Sequence, residues 1–355
     1  MLKPDTINLI KKKKILITGH TGFQGYWLTH FLRYLDCKRI YGISLRPKEY
    51  QKKLFAKINK SGSFIENFYC NISDKKKFNE LLNFVNPDFI FHLASQPLVN
   101  LSYINPTETF DTNINGSINL LEWLRHSKKK VYTTFITSDK CYEPSKDFLN
   151  ENSPLKGVDP YSASKSIQEI LVNSYYNSFF KNDNLISINT VRSGNIYGGG
   201  DFTPGRLIPD LIKSYNNDSE ITIRNKKSVR PWQYVLDSIW GYLLTCQFSI
   251  NNTNYNSFNF GPPERKMINV NNVLQLFEFT ENHKFKIRYL QKSNFIESNV
   301  LNLDSSKSFK KLKWKNKMSI HQGLIETITW YRSFYFDQKN IEEISKKLIK
   351  KYMAK

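Results

Sequence analysis

The stretch Ile15-Leu16-Ile17-Thr18-Gly19-His20-Thr21-Gly22-Phe23-Gln24-Gly25 decides how this chain is read. Ile15, Leu16 and Ile17 in a row suit a short strand buried on both faces, as in a parallel sheet. The glycines mark a tight turn, and a helical pattern runs on from 26 to 35. A glycine turn between strand and helix aims first-turn N–H groups and the helix dipole at an anion, with glycine needed where a side chain would block the approach. Gly19, Thr21, Gly22, Phe23, Gln24 and Gly25 are therefore candidate cofactor-binding residues for a dinucleotide pyrophosphate. Taken alone, GxxGxxG also describes an ordinary turn; its place between strand and helix singles it out.

Outward from this point, short apolar runs at 39–44, 68–71, 89–93, 132–138 and 185–192 alternate with helical stretches. Such alternation implies right-handed βαβ crossovers and an α/β fold with a doubly wound parallel sheet. Past Arg192 the regularity fades into Gly198-Gly199-Gly200, Pro204 and Pro209, with helical patterns near 207–215 and 235–248. Residues 1–192 read as a nucleotide-binding domain, with 230–260 packing back on it. Residues 193–229 and 261–340 read as a smaller substrate-binding lobe, and 341–355 as a Lys-rich, solvated terminal helix.

Composition narrows the function classes. With 40% hydrophobic against 23% charged residues, the 355-residue chain has enough apolar surface for a core, which excludes disorder. The formal charge of +21 attracts anions, but the lysines lie in short scattered groups (Lys11 to Lys14, Lys75 to Lys77, Lys128 to Lys130) that read as solvated faces. No nucleic-acid motif accompanies them, so no nucleic-acid partner is expected. Cys37, Cys70, Cys141 and Cys246 form no CxxC pair, and the histidines show no HxH or HxxxH spacing, so no metal is expected. The apolar run at 15–17 is too short for a signal peptide, and none reaches the length of a membrane span. The expectation is a soluble, cytoplasmic protein with no membrane partner.

Two constellations carry chemistry. Tyr161 and Lys165 stand four apart on one face of a helix whose apolar stripe is read through Ile167, Leu171, Tyr175 and Phe179. An ammonium beside a phenol favours the phenolate, which takes a hydroxyl proton while hydride leaves for a nicotinamide. The fifth strand ends in Thr137-Ser138-Asp139-Lys140, and ligands of open α/β sheets sit at the carboxyl ends of strands. Ser138 suits a substrate hydroxyl. Asp139 and Lys140 are surplus to a plain dehydrogenase, and an acid and a base beside a redox centre suggest elimination of water from a transient ketone. At the second strand's end no acid stands for a ribose 2′-OH, and Arg46 leans towards a 2′-phosphate; Asn71 and Asp74 after the third strand leave the choice between NAD and NADP open.

Taken together, the chain resembles the extended short-chain dehydrogenase/reductases, the NAD-dependent epimerase/dehydratase family, and within it the CDP-glucose 4,6-dehydratase group. The matching strings are Thr18 to Phe23, His92 to Val99, Thr137 to Glu143, Asp159 to Ser162, Gly198 to Asp201, Arg206 to Asp210 and Arg230 to Gln233, spread over roughly 14 to 335. Ser138-Asp139-Lys140 separates this group from the dTDP-glucose dehydratases, which carry Thr-Asp-Glu there. The resemblance implies a Rossmann-type fold, NAD as a retained cofactor and a nucleotide sugar, CDP-glucose, as substrate, in dideoxyhexose and O-antigen biosynthesis. It implies that Tyr161 removes the O4 proton, that Asp139 is the acid for the departing 6-hydroxyl, and that Lys140 sits where relatives carry the C5 base. Ile72, Leu93, Ala94, Ser95 and Asn113 join the cofactor-side residues. Gln96, Asn195, Arg206, Leu207, Arg230 and Gln233 join Ser138 on the substrate side. Relatives are commonly dimers through two helices, here 107–124 and 161–180, and a homodimer or homotetramer is expected. Asn100, Tyr197, Gly205 and Tyr234 depart from the pattern at the substrate end, which bears on the base or sugar more than on the reaction.

The enzyme rival is a nucleotide-sugar 4-epimerase, which uses Tyr161, Lys165 and NAD but has no need of Asp139 and Lys140. A non-catalytic dinucleotide sensor of the same fold has no reason to keep phenol, ammonium, hydroxyl and carboxyl together.

Overall fold

The computed structural model describes residues 2–59, 65–182, 184–252, 255–262, 268–290, 300–336 and 341–355. Seven strands form the central sheet: β1 (Ile15–Thr18), β2 (Ile40–Ser44), β3 (Glu66–Tyr69), β4 (Phe89–His92), β5 (Val131–Ile136), β6 (Ile186–Ser193) and, after the short β7 (Asn195–Tyr197), β8 (Ile221–Ile223) and β9 (Trp232–Tyr234), β10 (Asn256–Phe260). Their order is β10-β6-β5-β4-β1-β2-β3, every neighbour parallel. The chain reverses its direction of travel between β1 and β4, and it is at such a switch point that an open α/β sheet leaves a crevice for ligands. β8 pairs with β11 (Ile287–Tyr289) and β7 with β9 in two small parallel sheets beyond it.

Alternate side chains of each strand feed two cores. Ile15, Ile17, Phe89, Phe91, Ile136 and Val191 pack on one face, with α2 (Phe23–Tyr34) and later helices; Leu16, Ile90, Val131, Phe135 and Ile186 pack on the other. The second face is covered by α4 (Lys75–Val85), α7 (Gly116–Arg125) and α8 (Pro160–Tyr175). The remaining early helices are α1 (Pro4–Lys12), α3 (Glu49–Asn59), α5 (Val99–Ile104) and α6 (Pro106–Phe110). α9 (Leu207–Asn217), α10 (Val235–Asn251), α11 (Val270–Glu281), α12 (Ser306–Leu312), α13 (Ile320–Tyr335) and α14 (Ile341–Met353) complete the chain. The doubly wound reading from sequence stands, with β10 added at the edge.

Three local readings differ. β5 stops at Ile136 because Ser138 leaves the ladder to accept Lys140 N–H at 3.2 Å, opening a 3₁₀ turn over Asp139–Cys141. The expected apolar stripe on α8 is not its buried face: Ile167 and Phe179 are exposed, whereas Ser164, Lys165, Gln168, Glu169 and Val172 are buried. The terminal helix is not merely solvated either. Ile341, Ser345, Leu348, Ile349 and Tyr352 make a buried stripe at helical spacing beneath its lysines, and Tyr26 of α2 bonds Ser345 at 2.6 Å.

Gly19 shows what the turn demands. Its φ is +74°, and an added Cβ would stand 2.8 Å from Ala94 N. Gly19→Ala is expected to lose about 1–2 kcal/mol of stability from the left-handed backbone alone, with more from the clash. A thermal melt and a calorimetric dinucleotide titration should show both a lower midpoint and weaker binding.

Candidate active site

The cofactor cradle follows from this turn. Gly22 caps α2 without any side-chain bond, so the first-turn N–H groups remain available to an anion at the β1/β4 crevice. Gly25 lets α2 close on the turn: a Cβ there would lie 2.4 Å from Gly19 O. Thr21 donates to Leu45 O at 3.2 Å, tying the turn to the end of β2. Gln24 accepts from Tyr242 Oη at 2.6 Å, so its side chain braces α2 against α10, while Phe23 opens the helix.

Beyond the end of β2 the guanidinium of exposed Arg46 lies over the Tyr69 ring, 4.8 Å from its centroid. Asp74 is spent capping α4, accepting Lys77 N–H at 3.1 Å, and Asn71 turns its amide oxygen onto Ser73 N–H. Buried Ile72 packs under Gly116 and gives its carbonyl to Asn119. Leu93, Ala94 and Ser95 follow β4 along the crevice, with Ala94 N–H donating to Thr18 Oγ1 at 3.2 Å.

The residues expected to react meet where β5 ends against α8. Ser138, Asp139, Tyr161 and Lys165 are all buried, and Ser138 Oγ donates to Asp139 Oδ1 at 3.0 Å. Burial pushes the Tyr161 phenol up to about 12, opposed by its hydrogen bond with Ser138 and the positive charge of Arg206, and reinforced by Asp139. Burial pulls Lys165 down to about 8, against the opposing pull of Glu169. Its Nζ donates to Gln168 Oε1 at 3.1 Å and Ile136 O at 3.4 Å, so the ammonium shares Tyr161's helix face with its bonds directed elsewhere. Burial raises the Asp139 carboxyl from its ordinary value despite Lys140, Ser138 and Arg230, and its Oδ2 has no hydrogen-bond partner among the described residues. Lys140 is half-buried.

Asn113 reaches this centre from a wide π turn (Asp111–Asn115) between α6 and α7, a helix irregularity common at functional sites. Its Oδ1 accepts Gln96 N–H at 2.8 Å, and its Nδ2 donates to Ser164 Oγ at 2.8 Å; Ser164 in turn donates to Tyr161 O. Tyr161 N–H donates to Ser102 Oγ of α5 at 3.1 Å. The phenol is thus held by its backbone from two sides.

The substrate-side residues divide. Arg206, at the start of α9, pairs with Asp201 at 3.0 Å and acts electrostatically on Tyr161; Leu207 follows it, half-buried. Arg230 is buried, donates to Val229 O and acts on Asp139. Asn195 opens β7 opposite Trp232. Gln233 donates to Asn316 at 2.8 Å while its Oε1 is buried without a partner among the described residues. Gln96 spends both ends of its amide on Leu98 and Thr109, so its side chain closes its own loop. Among the departures from the family pattern, Asn100 and the Gly205 carbonyl share one partner, Arg224, at 2.8 and 3.1 Å.

A family model described as the NAD dependent epimerase/dehydratase family matches residues 15–261. The chain belongs to that family. Across 98% of both chains it is 32% identical to the CDP-glucose 4,6-dehydratase of Salmonella typhimurium, and over 93% of both it is 25% identical to the dTDP-D-glucose 4,6-dehydratase of Homo sapiens. The fold is shared with solved structures: UDP-glucuronic acid 4-epimerase from Bacillus cereus, with UDP-glucuronic acid and NAD, superposes with a TM-score of 0.78 at 22% identity, covering 91% of this chain and all of that one. As a member of the NAD dependent epimerase/dehydratase family the protein is an enzyme and its cofactor is NAD. Arg46 therefore does not mark a requirement for the 2′-phosphate; its cation is held on Tyr69. Extraction and chromatography of dinucleotide bound to the purified protein is expected to yield NAD predominantly.

Several residues of this family member's centre escape sequence reasoning: Ser102, Gln168 with Ser117, whose hydroxyl accepts from the Gln168 amide at 2.7 Å, and above all Glu169 with Arg192. A charge, Arg192, directly after the uncharged strand-like run 186–191, and an acid one turn after Lys165, were the available signals.

Proposed function

We propose that the protein dehydrates a nucleotide hexose, taking CDP-D-glucose to CDP-4-dehydro-6-deoxy-D-glucose and water. One observation carries this reading: Asp139, buried beside Ser138 and Tyr161, has a carboxyl displaced towards its protonated form and an oxygen with no partner among the described residues. C4 chemistry alone gives such an acid nothing to do, whereas a leaving 6-hydroxyl needs its proton. NAD, when bound, supplies the acceptor and donor for the hydride. Tyr161 takes the O4 proton, Ser138 orients that hydroxyl, and Lys165 lends positive charge. Asp139 protonates the departing hydroxyl, and Lys140 removes the C5 proton. Arg206 and Arg230 supply cations suited to a diphosphate. The 4-keto product suits dideoxyhexose synthesis.

Incubation with CDP-, dTDP-, GDP- and UDP-hexoses, followed by mass spectrometry, should show loss of one water from CDP-glucose in preference to the others. An epimerised product without mass change would instead establish the 4-epimerase reading.

The assembly we infer is a homodimer through α7 and α8. Its support is the apolar face that the fold leaves outside: Ile167, Ile170 and Phe179 are 37%, 54% and 49% exposed, although they lie on or just past a helix rooted in the active site. Ile170→Glu should shift sedimentation velocity towards the monomer, while wild type sediments as a dimer or tetramer; an identical profile for both would sink this assignment.

A further inference from the structure

Behind the reacting groups, away from the crevice, lies a second polar cluster. Glu169 is wholly buried and accepts hydrogen bonds from Thr137 Oγ1 at the end of β5, from Thr190 Oγ1 of β6 at 2.7 Å, and from Arg192 Nη2 at 2.7 Å. Arg192 Nη1 donates to Tyr142 Oη at 2.7 Å and to Glu151 O, and its guanidinium lies 4.9 Å from the Tyr142 ring centroid. Tyr142 Oη donates to Asn259 of β10 at 2.6 Å. The cluster therefore grips both flanks of Ser138-Asp139-Lys140: Thr137 precedes the segment, Tyr142 follows it, and Glu169 is rooted in the helix of Tyr161 and Lys165.

We propose that Glu169, fixed by Arg192, is a positioning residue for the catalytic centre: it ties the strand end bearing Ser138 and Asp139 to α8 and supplies the negative charge that the Lys165 ammonium faces. Isolated buried ion pairs commonly cost as much in desolvation as they return in attraction, so a purely stabilising purpose explains this one poorly. The groups around Lys165 support the second half. On α8 it has Glu169, Tyr161 and the neutral amide of Gln168; the 3₁₀ turn offers Cys141, whose thiol burial keeps protonated; β4 offers His92, which burial keeps neutral; and β5 offers the carbonyl of Ile136. Glu169 is the ionised acid in this set, and it opposes the burial that drives Lys165 towards its neutral form.

The proposal rests on the dehydratase reading for what the positioned groups do, and its test separates the two. Lysine-selective carbon NMR on the full-length protein follows the titration of Lys165, its signal identified by loss in Lys165→Arg. In Glu169→Gln the midpoint should fall by about one unit or more, a tenfold change in acidity. Because that variant leaves Arg192 buried without its acid and can fail to fold, Glu169→Gln/Arg192→Met, which removes both charges, carries the same expectation. Glu169→Asp should restore most of the shift. The alkaline limb of kcat/KM should move down in parallel. An unmoved Lys165 midpoint in the folded double variant would make the pair a structural brace and overturn the proposal. Absence of CDP-glucose turnover in wild type would overturn the dehydratase reading while the NMR result still decides this one.

Discussion

Asp139→Asn is expected to slow loss of water from CDP-glucose by about 10²–10⁴, the usual span of general-acid assistance, while oxidation at C4 continues. The asparagine keeps the side-chain shape and the bond from Ser138, but has no proton of suitable acidity to give. Rapid mixing of the loaded variant with CDP-glucose should therefore reveal reduced-nicotinamide absorbance that builds and persists, followed by slow appearance of the dehydrated sugar. A 6-fluoro analogue, whose leaving group needs little protonation, should recover much of the lost rate. Wild-type water loss in the variant would reduce Asp139 to a loop residue. The direction of its shift sets a pH signature too. Burial raises this carboxyl, so the acid is present at higher pH than for an exposed aspartate and disappears as pH rises through its own titration. The part of the alkaline fall that this loss produces in wild type should be missing from the variant, which keeps only the limb set by Lys165.

Tyr161→Phe removes the proton acceptor for O4 and is expected to lower turnover by about 10²–10⁴ or more, with dinucleotide still bound. The cradle at Gly19, Gly22 and Gly25 runs from the turn after β1 into α2, whereas Tyr161 is held by Ser102 and Ser164 through its backbone, so the ring position should survive. No reduced-nicotinamide transient should form, which distinguishes this variant from Asp139→Asn. A dinucleotide-free protein would mean that the phenol holds the cofactor instead. Burial holds the phenol up at about 12 with Arg206 already opposing it, so the further positive charge that brings it towards working pH has to come from the bound substrate complex.

The strands were legible because burial on both faces leaves uninterrupted apolar runs, and the cradle because only glycine tolerates its backbone. Tyr161 and Lys165 were legible through helical spacing. Spacing also misled: on α8 the face that looks apolar is outward, and the face that looks polar is the buried one, because the centre it lines is itself polar. Amide side chains were the least readable. Gln24, Gln96 and Gln233 satisfy Tyr242, the 96–109 loop and Asn316, partners that no local pattern announces. The Glu169–Arg192 pair spans 23 residues, and only the crossover from α8 to β6 brings it together. In α14 the lysines mask a buried stripe at regular helical spacing.

That stripe has a consequence for how the protein comes into being. Tyr26 and Arg33, on the helix that opens at the pyrophosphate turn, meet Ser345 and Glu342, and Tyr352 reaches Asp237 of the adjoining α10 at 2.8 Å. Translation delivers the turn long before the helix that backs it, Tyr26 and Ser345 lying 319 positions apart. During synthesis the half-made chain therefore carries a glycine cradle whose supporting helix has an uncovered flank, and NAD captured at that stage would be held loosely. Tight retention of the dinucleotide would then depend on α14 being in place, so a nascent chain stalled short of α14 should exchange its cofactor more freely than one that carries it.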